Sequence, residues 1–124
     1  FFSLYNKIEI IFAVFKDCFL TLRKKRLWKN FEDLIQSPVP VLVDFFAEWC
    51  GPCKAMKPVL EELKLIVGDK ARIAKIDVDQ HEDLATKYRI QAVPTFILFK
   101  NGEAVWRHSG VIHSSELQGV IEKH

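Results

Sequence analysis

The sequence predicts an α/β fold, a mixed central sheet of four to five strands with helices on both faces. Short, nearly continuous apolar runs, which suit strands covered on both sides, alternate with segments of helical periodicity. An Asn101-Gly102 pair separates the last two strand-like runs and fits a two-residue hairpin. Parallel neighbours need a helical crossover, whereas a hairpin makes its strands antiparallel, so a sheet holding both is mixed.

The elements follow in order from residue 30. Asn30 is placed to cap a short helix through Phe31-Glu32-Asp33-Leu34-Ile35, which Pro38 and Pro40 end. Residues 41–47 form an apolar strand with one charge, Asp44, inside it. Pro52 suits a helix start, Gly68 a helix stop, and Pro58 lies inside that helix, where it should produce a kink. A second buried strand follows at 72–78, a helix at 82–88, a third strand at 95–100 and a fourth at 103–108. Ser114 is expected to cap a last helix that carries Leu117, Val120 and Ile121 on one face. Gly119 weakens that helix by about 1 kcal/mol relative to alanine.

The 124 residues are enough for one domain, and 49% hydrophobic with 27% charged residues is ordinary globular composition. A net charge of +2 gives no argument for nucleic acid, and three cysteines cannot build the disulfide framework of a small secreted scaffold. The charge is unevenly spread. Residues 1–29 carry net +5 and half of the ten phenylalanines, while residues 30–124 carry net −3. The chain therefore reads as an atypical apolar and basic extension, 1–29, joined to a domain, 30–124.

The extension is interrupted by Lys7, Glu9, Lys16 and Asp17, so its uncharged core is too short to span a bilayer. A basic start and a small-residue cleavage site, the marks of a secretory signal, are missing from it. Its only apolar order is ambiguous. Leu4, Ile8, Ile11, Phe12, Phe15, Cys18, Phe19 and Leu22 have helical spacing, yet residues 8–15 also read as a buried strand. Arg23-Lys24-Lys25-Arg26 reads as a solvated face or a patch for anionic lipid, and Cys18 as a small buried hydrophobe. The only methionine is Met56, which leaves a truncated, processed or differently joined start open.

The chemistry lies in Ala47-Glu48-Trp49-Cys50-Gly51-Pro52-Cys53-Lys54. Cys50 falls at a helix N-terminus, where backbone N–H groups and the macrodipole favour the thiolate, the reactive form. Cys53, one turn in and more shielded, can resolve a mixed disulfide formed on Cys50. Gly51 and Pro52 let the chain enter the helix while limiting the freedom of the reduced loop. Zinc is the competing use of Cys-x-x-Cys, but it needs a second ligand pair. His108 and His113 are the candidates, and the 54 residues between Cys53 and His108 far exceed a zinc-finger interval of about 12–15. No metal is therefore expected.

Residues 31–124 resemble the thioredoxin family. Trp49-Cys50-Gly51-Pro52-Cys53-Lys54 matches its active-site motif, Asp44 in Val-Asp-Phe-Phe-Ala resembles its buried acid, and Val93-Pro94-Thr95 resembles its cis-proline loop. Lys100-Asn101-Gly102-Glu103 and Gly110 match its final hairpin and the glycine beyond. One departure stands out: Arg26-Leu27-Trp28-Lys29 replaces the usual polar turn before Phe31, and an edge strand is needed from the extension to cover the 72–78 strand.

The resemblance implies a thioredoxin fold and a protein disulfide reductase, with Cys50 attacking and Cys53 resolving. Asp44, a lone charge in an apolar strand, has its carboxyl pKa pushed up by burial and would take the proton from Cys53; a partly exposed strand-end aspartate is the alternative. Lys75 would moderate Asp44, or else is a surface lysine. Pro94 is expected cis, leaving the Val93 backbone to pair with an extended substrate. Trp49, Val78, Val93, Gly110 and Val111, with Gly51 and Pro52, would form a shallow apolar rim. No cofactor is implied beyond the Cys50–Cys53 disulfide. The implied partners are a reductase using NADPH and flavin (thioredoxin reductase) and oxidised protein substrates, with no nucleic acid and no membrane. A cytoplasmic monomer completes the expectation. Two rivals stand beside it. A related oxidase or isomerase outside the cytosol is disfavoured by Gly51-Pro52, because stronger oxidants carry a histidine there. A membrane-surface or partner-docking role for residues 1–29 is the other.

Overall fold

The computed structural model describes residues 8–10 and 31–124. Among these the strands are β1 (Ile8–Ile10), β2 (Val41–Phe46), β3 (Arg72–Asp77), β4 (Thr95–Lys100) and β5 (Glu103–Ser109). The helices are α1 (Phe31–Ile35), α2 (Gly51–Val67), α3 (Glu82–Lys87) and α4 (Ser114–Lys123), with a 3₁₀ turn at Gly68–Lys70. The strands form one sheet in the order β1-β3-β2-β4-β5. β2 and β3 are parallel, and the other neighbours are antiparallel.

The sequence explains this arrangement. β2 and β4 are buried over nearly their whole length, as continuous apolar strands covered on both faces must be. On one face Phe31, Leu34 and Ile35 of α1 and Leu84 of α3 pack on Val41, Val43, Phe45, Ala74, Ile76, Ile97 and Phe99. On the other, Met56, Leu60, Leu63 and Val67 of α2 and Leu117 and Ile121 of α4 pack on Leu42, Ile73, Phe96 and Leu98. Between β4 and β5, Asn101 (φ 53°) and Gly102 (φ 86°) both occupy the left-handed region that a tight two-residue hairpin requires. A Cβ on Gly102 would also lie 2.3 Å from the Gln36 amide nitrogen.

Several boundaries differ from expectation by one residue. β2 and β3 end at Phe46 and Asp77, α2 begins at Gly51, α3 ends at Lys87, and β5 runs on to Ser109. α2 continues as one helix through Pro58. The cap of α4 is a correction. His113 occupies the N-cap position, and the Ser114 hydroxyl, already inside the first turn, donates instead to the Glu62 carboxylate of α2. The expected edge strand is supplied by Ile8–Ile10, antiparallel to β3, with Glu9 opposite Lys75. The Asn30 cap, the helical reading of the extension beyond Ile8–Ile10, the basic run at 23–26 and Cys18 lie outside the described residues.

Two contacts yield predictions. The Arg107 guanidinium of β5 donates to the carbonyls of Tyr88 and Arg89 just past α3, the latter at 2.6 Å. It satisfies acceptors that a helix end leaves open. Arg107→Ala is expected to cost about 1 kcal/mol, read as a lower urea midpoint with an unchanged slope; an unmoved midpoint would contradict this role. Tyr88 packs edge-on against Phe99, with centroids 5.3 Å apart, and against Phe31. Burial, then the nearby Glu32 charge, pushes its phenol pKa up. The fold thus favours the neutral phenol. That contribution is fully present below the unfolded value of about 10 and is lost as pH rises through the folded one. Tyr88→Phe should flatten the alkaline fall in melting temperature between roughly pH 9 and 11; an identical fall would count against it.

Candidate functional site

The chemistry collects where β2 and β3 end and β4 begins. Cys50 has extended backbone (φ −86°, ψ 113°) and is the N-cap of α2, with Pro52 in the first turn. Its Sγ accepts the backbone N–H of Cys53 at 3.1 Å. A side chain at this position meets donors that have no helical partner, and the macrodipole adds to their effect. Cys50 and Cys53 are joined as a disulfide, with Cα atoms 5.3 Å apart, inside the range such a bond needs. The sequence leads one to expect an outer Cys50 and a shielded Cys53. Both are buried, Cys50 at 3% and Cys53 at 5% exposure. Ala47, Phe46, Val78 and Val93 close around the pair, and this packing removes the expected difference. What distinguishes the two sulfurs is the N–H bond to Cys50.

The loop before β4 forms the opposite wall. The Val93–Pro94 peptide is cis, and the Val93 carbonyl oxygen lies 3.6 Å from Cys50 Sγ. Thr95, fully buried, fixes this loop: its hydroxyl donates to the Ala92 carbonyl at 2.6 Å and lies 3.0 Å from the Ser109 hydroxyl. The Gly110 N–H donates to the Pro94 carbonyl at 2.8 Å, and Gly110 has φ 102°, a conformation that favours glycine.

Around the disulfide the surface is apolar and open. Trp49 is 72% exposed and Val111 56%, Gly51 and Pro52 are exposed, and Val78, Val93 and Gly110 are half-buried. The Trp49 indole N–H donates to Asp79 Oδ2 at 2.9 Å, and Asp77 Oδ1 accepts the Asp79 backbone N–H at 2.9 Å. Nothing in the sequence pattern assigns Asp77 or Asp79 a role. An Asp-x-Asp step at a strand end is a turn signal, but nothing local says that a tryptophan 30 residues earlier completes it.

Asp44 is fully buried, with Lys75 opposite it on β3 and Phe96 on β4. Residues opposite one another share a face, and Phe96 belongs to the face covered by α2. Asp44 therefore lies on the side of the sheet over which the Cys53 helix runs, and the exposed strand-end alternative is excluded. Lys75, half-buried, places its ammonium 4.5 Å from the centre of the Phe46 ring. Among the described residues no cluster of three or more His, Cys, Asp or Glu side chains is gathered for a metal, and no helix is long and apolar enough to cross a membrane.

A Cys-x-x-Cys disulfide at a helix start, facing a cis-proline loop on a mixed α/β sheet, has the make-up of a thiol–disulfide exchange site. The thioredoxin family model matches residues 24–123. Thioredoxin Y, chloroplastic, from Oryza sativa subsp. japonica is 44% identical over 100 residues, covering 80% of this chain and 60% of that protein. Thioredoxin from Staphylococcus saprophyticus is 50% identical over 95 residues, covering 77% of this chain and 90% of that protein. The crystal structure of oxidised mitochondrial thioredoxin 3 from Saccharomyces cerevisiae superimposes with a TM-score of 0.69 at 35% identity, covering 76% of this chain and 87% of that one. The chain belongs to the thioredoxin family, whose members are thiol–disulfide oxidoreductases working through a redox-active disulfide without a cofactor. It spans only about 60% of the length of the rice relative.

Proposed function

We propose that this domain reduces protein disulfides by dithiol–disulfide exchange, with Cys50 as nucleophile and Cys53 as resolving thiol. The observation that carries the reading is the Cys53 N–H bond to Cys50 Sγ at the start of α2. A hydrogen bond to a charged group contributes about 1.5–3 kcal/mol and a helix terminus up to about 2. Burial works against the thiolate, but only in part, because Trp49, Gly51 and Pro52 beside it are exposed. In this proposal the hydrogen bond and the helix start together outweigh that burial. The Cys50 thiolate attacks one sulfur of a substrate disulfide, forming a Cys50–substrate bond and releasing the other substrate sulfur as a thiolate. Cys53 then loses its proton and attacks Cys50 Sγ, forming the Cys50–Cys53 bond and expelling the second substrate thiolate. The substrate gains two electrons and the domain loses them.

In this proposal Asp44, fully buried on the face of the sheet beneath the Cys53 helix, accepts the Cys53 proton. Lys75 acts beside it as a neighbouring positive charge. The rim of Trp49, Gly51, Pro52, Val78, Val93, Gly110 and Val111 receives the substrate, and the backbone of Val93 beside Pro94 pairs with it as an added strand. Electrons return from a reductase using NADPH and flavin. The domain works as a monomer in a reducing compartment, the cytoplasm from the sequence, with the chloroplast of the Oryza relative as the other setting. Reduction of insulin disulfides by dithiothreitol, with and without the protein, tests the activity. Acceleration is expected, and none from protein with an intact dithiol would refute the reading.

A further inference from the structure

We infer that Asp79 is a positioning residue that anchors the Trp49 indole at the rim of the disulfide, and that it serves protein substrates rather than small ones. The inference rests on the exchange reading above. Trp49 is the most exposed aromatic wall of the rim, and a side chain so open loses its contact value if it swings into solvent. Its ring is anchored by one described polar contact, the indole N–H to Asp79 Oδ2 at 2.9 Å. Asp79 is exposed, so it has little else to fix it, but its own backbone N–H is taken by Asp77 Oδ1 at 2.9 Å. Asp77 is buried at the end of β3, and its carbonyl also accepts the N–H groups of Gln80 and His81 at 3.1 and 3.0 Å. The loop is therefore tied to the sheet, and through Asp79 the sheet orients the indole. An extended protein segment lying along Val93 must meet this wall, whereas a small aromatic disulfide can reach Cys50 without it.

The test compares wild type, Asp79→Ala, Asp79→Asn and Trp49→Phe, and the Trp49→Phe variant carrying Asp79→Ala, on insulin and on a small aromatic disulfide. Asp79→Ala is expected to raise KM for insulin about threefold to tenfold, the effect of one lost hydrogen bond, with kcat little changed. Small-disulfide turnover should stay within about twofold, and Asp79→Asn, which keeps an acceptor, should restore KM. In the Trp49→Phe background Asp79→Ala should add nothing, because the donor is gone. The Trp49 indole N–H resonance should move in Asp79→Ala, a readout independent of turnover. An unmoved resonance, an unchanged insulin KM, or an undiminished Asp79→Ala effect in the Trp49→Phe background would overturn the inference. Loss of small-disulfide turnover in the wild type would instead refute the exchange reading itself.

Discussion

Cys53→Ser is expected to leave the protein covalently joined to its substrate, while Cys50→Ser forms no adduct at all. Both cysteines are buried, Cys50 at 3% and Cys53 at 5% exposure, so accessibility does not predict this difference. The electrostatics does. Cys50 Sγ receives the Cys53 N–H at the helix start, and in the proposed mechanism this bond stabilises its thiolate. With Cys53 replaced, the first exchange proceeds, but no thiol remains one turn away to attack Cys50 Sγ. Both variants should lose insulin-reducing turnover to the uncatalysed background. Only Cys53→Ser should give a mass increase that dithiothreitol reverses. Adducts on Cys50→Ser in place of Cys53→Ser would reverse the roles.

Asp44→Asn is expected to slow release of the mixed disulfide by about 10²-fold at pH 7, the lower end of what a positioned proton acceptor contributes. The geometry behind this is the β2 register, which puts Asp44 between Lys75 and Phe96 on the face beneath α2. Its complete burial keeps bulk water from substituting freely as the base. The pH dependence follows. Near pH 7 a thiol with an ordinary value of about 8.5 is mostly protonated and needs an acceptor, whereas above it the proton is already gone. The deficit should therefore narrow as pH rises from about 7 to 9.5. Stopped-flow release from a preformed mixed disulfide measures it. Equal rates at pH 7, or a deficit that does not change with pH, would remove Asp44 from the chemistry.

Much of this was legible in the sequence because it is local. Apolar runs such as Val41-Leu42-Val43 marked covered strands, Asn101-Gly102 marked the hairpin, and Pro52 and Gly68 bracketed α2. The strand–Cys-x-x-Cys–helix order placed the disulfide before any fold was known. What local pattern could not reach was pairing at a distance. The burial of Cys50 depends on Val78 and Val93, which approach it only after the sheet has formed. The Trp49–Asp79 bond joins two loops 30 residues apart. The α4 cap failed for a different reason: Ser114 had a better partner in Glu62, on a helix that only tertiary packing brings near. Residues 8–15 fitted strand and helix patterns alike, and pairing with β3, which no periodicity encodes, makes Ile8–Ile10 a strand.

The most direct test of the account is the pH dependence of alkylation of Cys50 in the reduced protein, followed by peptide mass analysis to keep it apart from Cys53. The account predicts a midpoint clearly below the free-thiol value of about 8.5, with Cys53 reacting more slowly at every pH below it. A Cys50 midpoint at or above 8.5, or preferential labelling of Cys53, would contradict it.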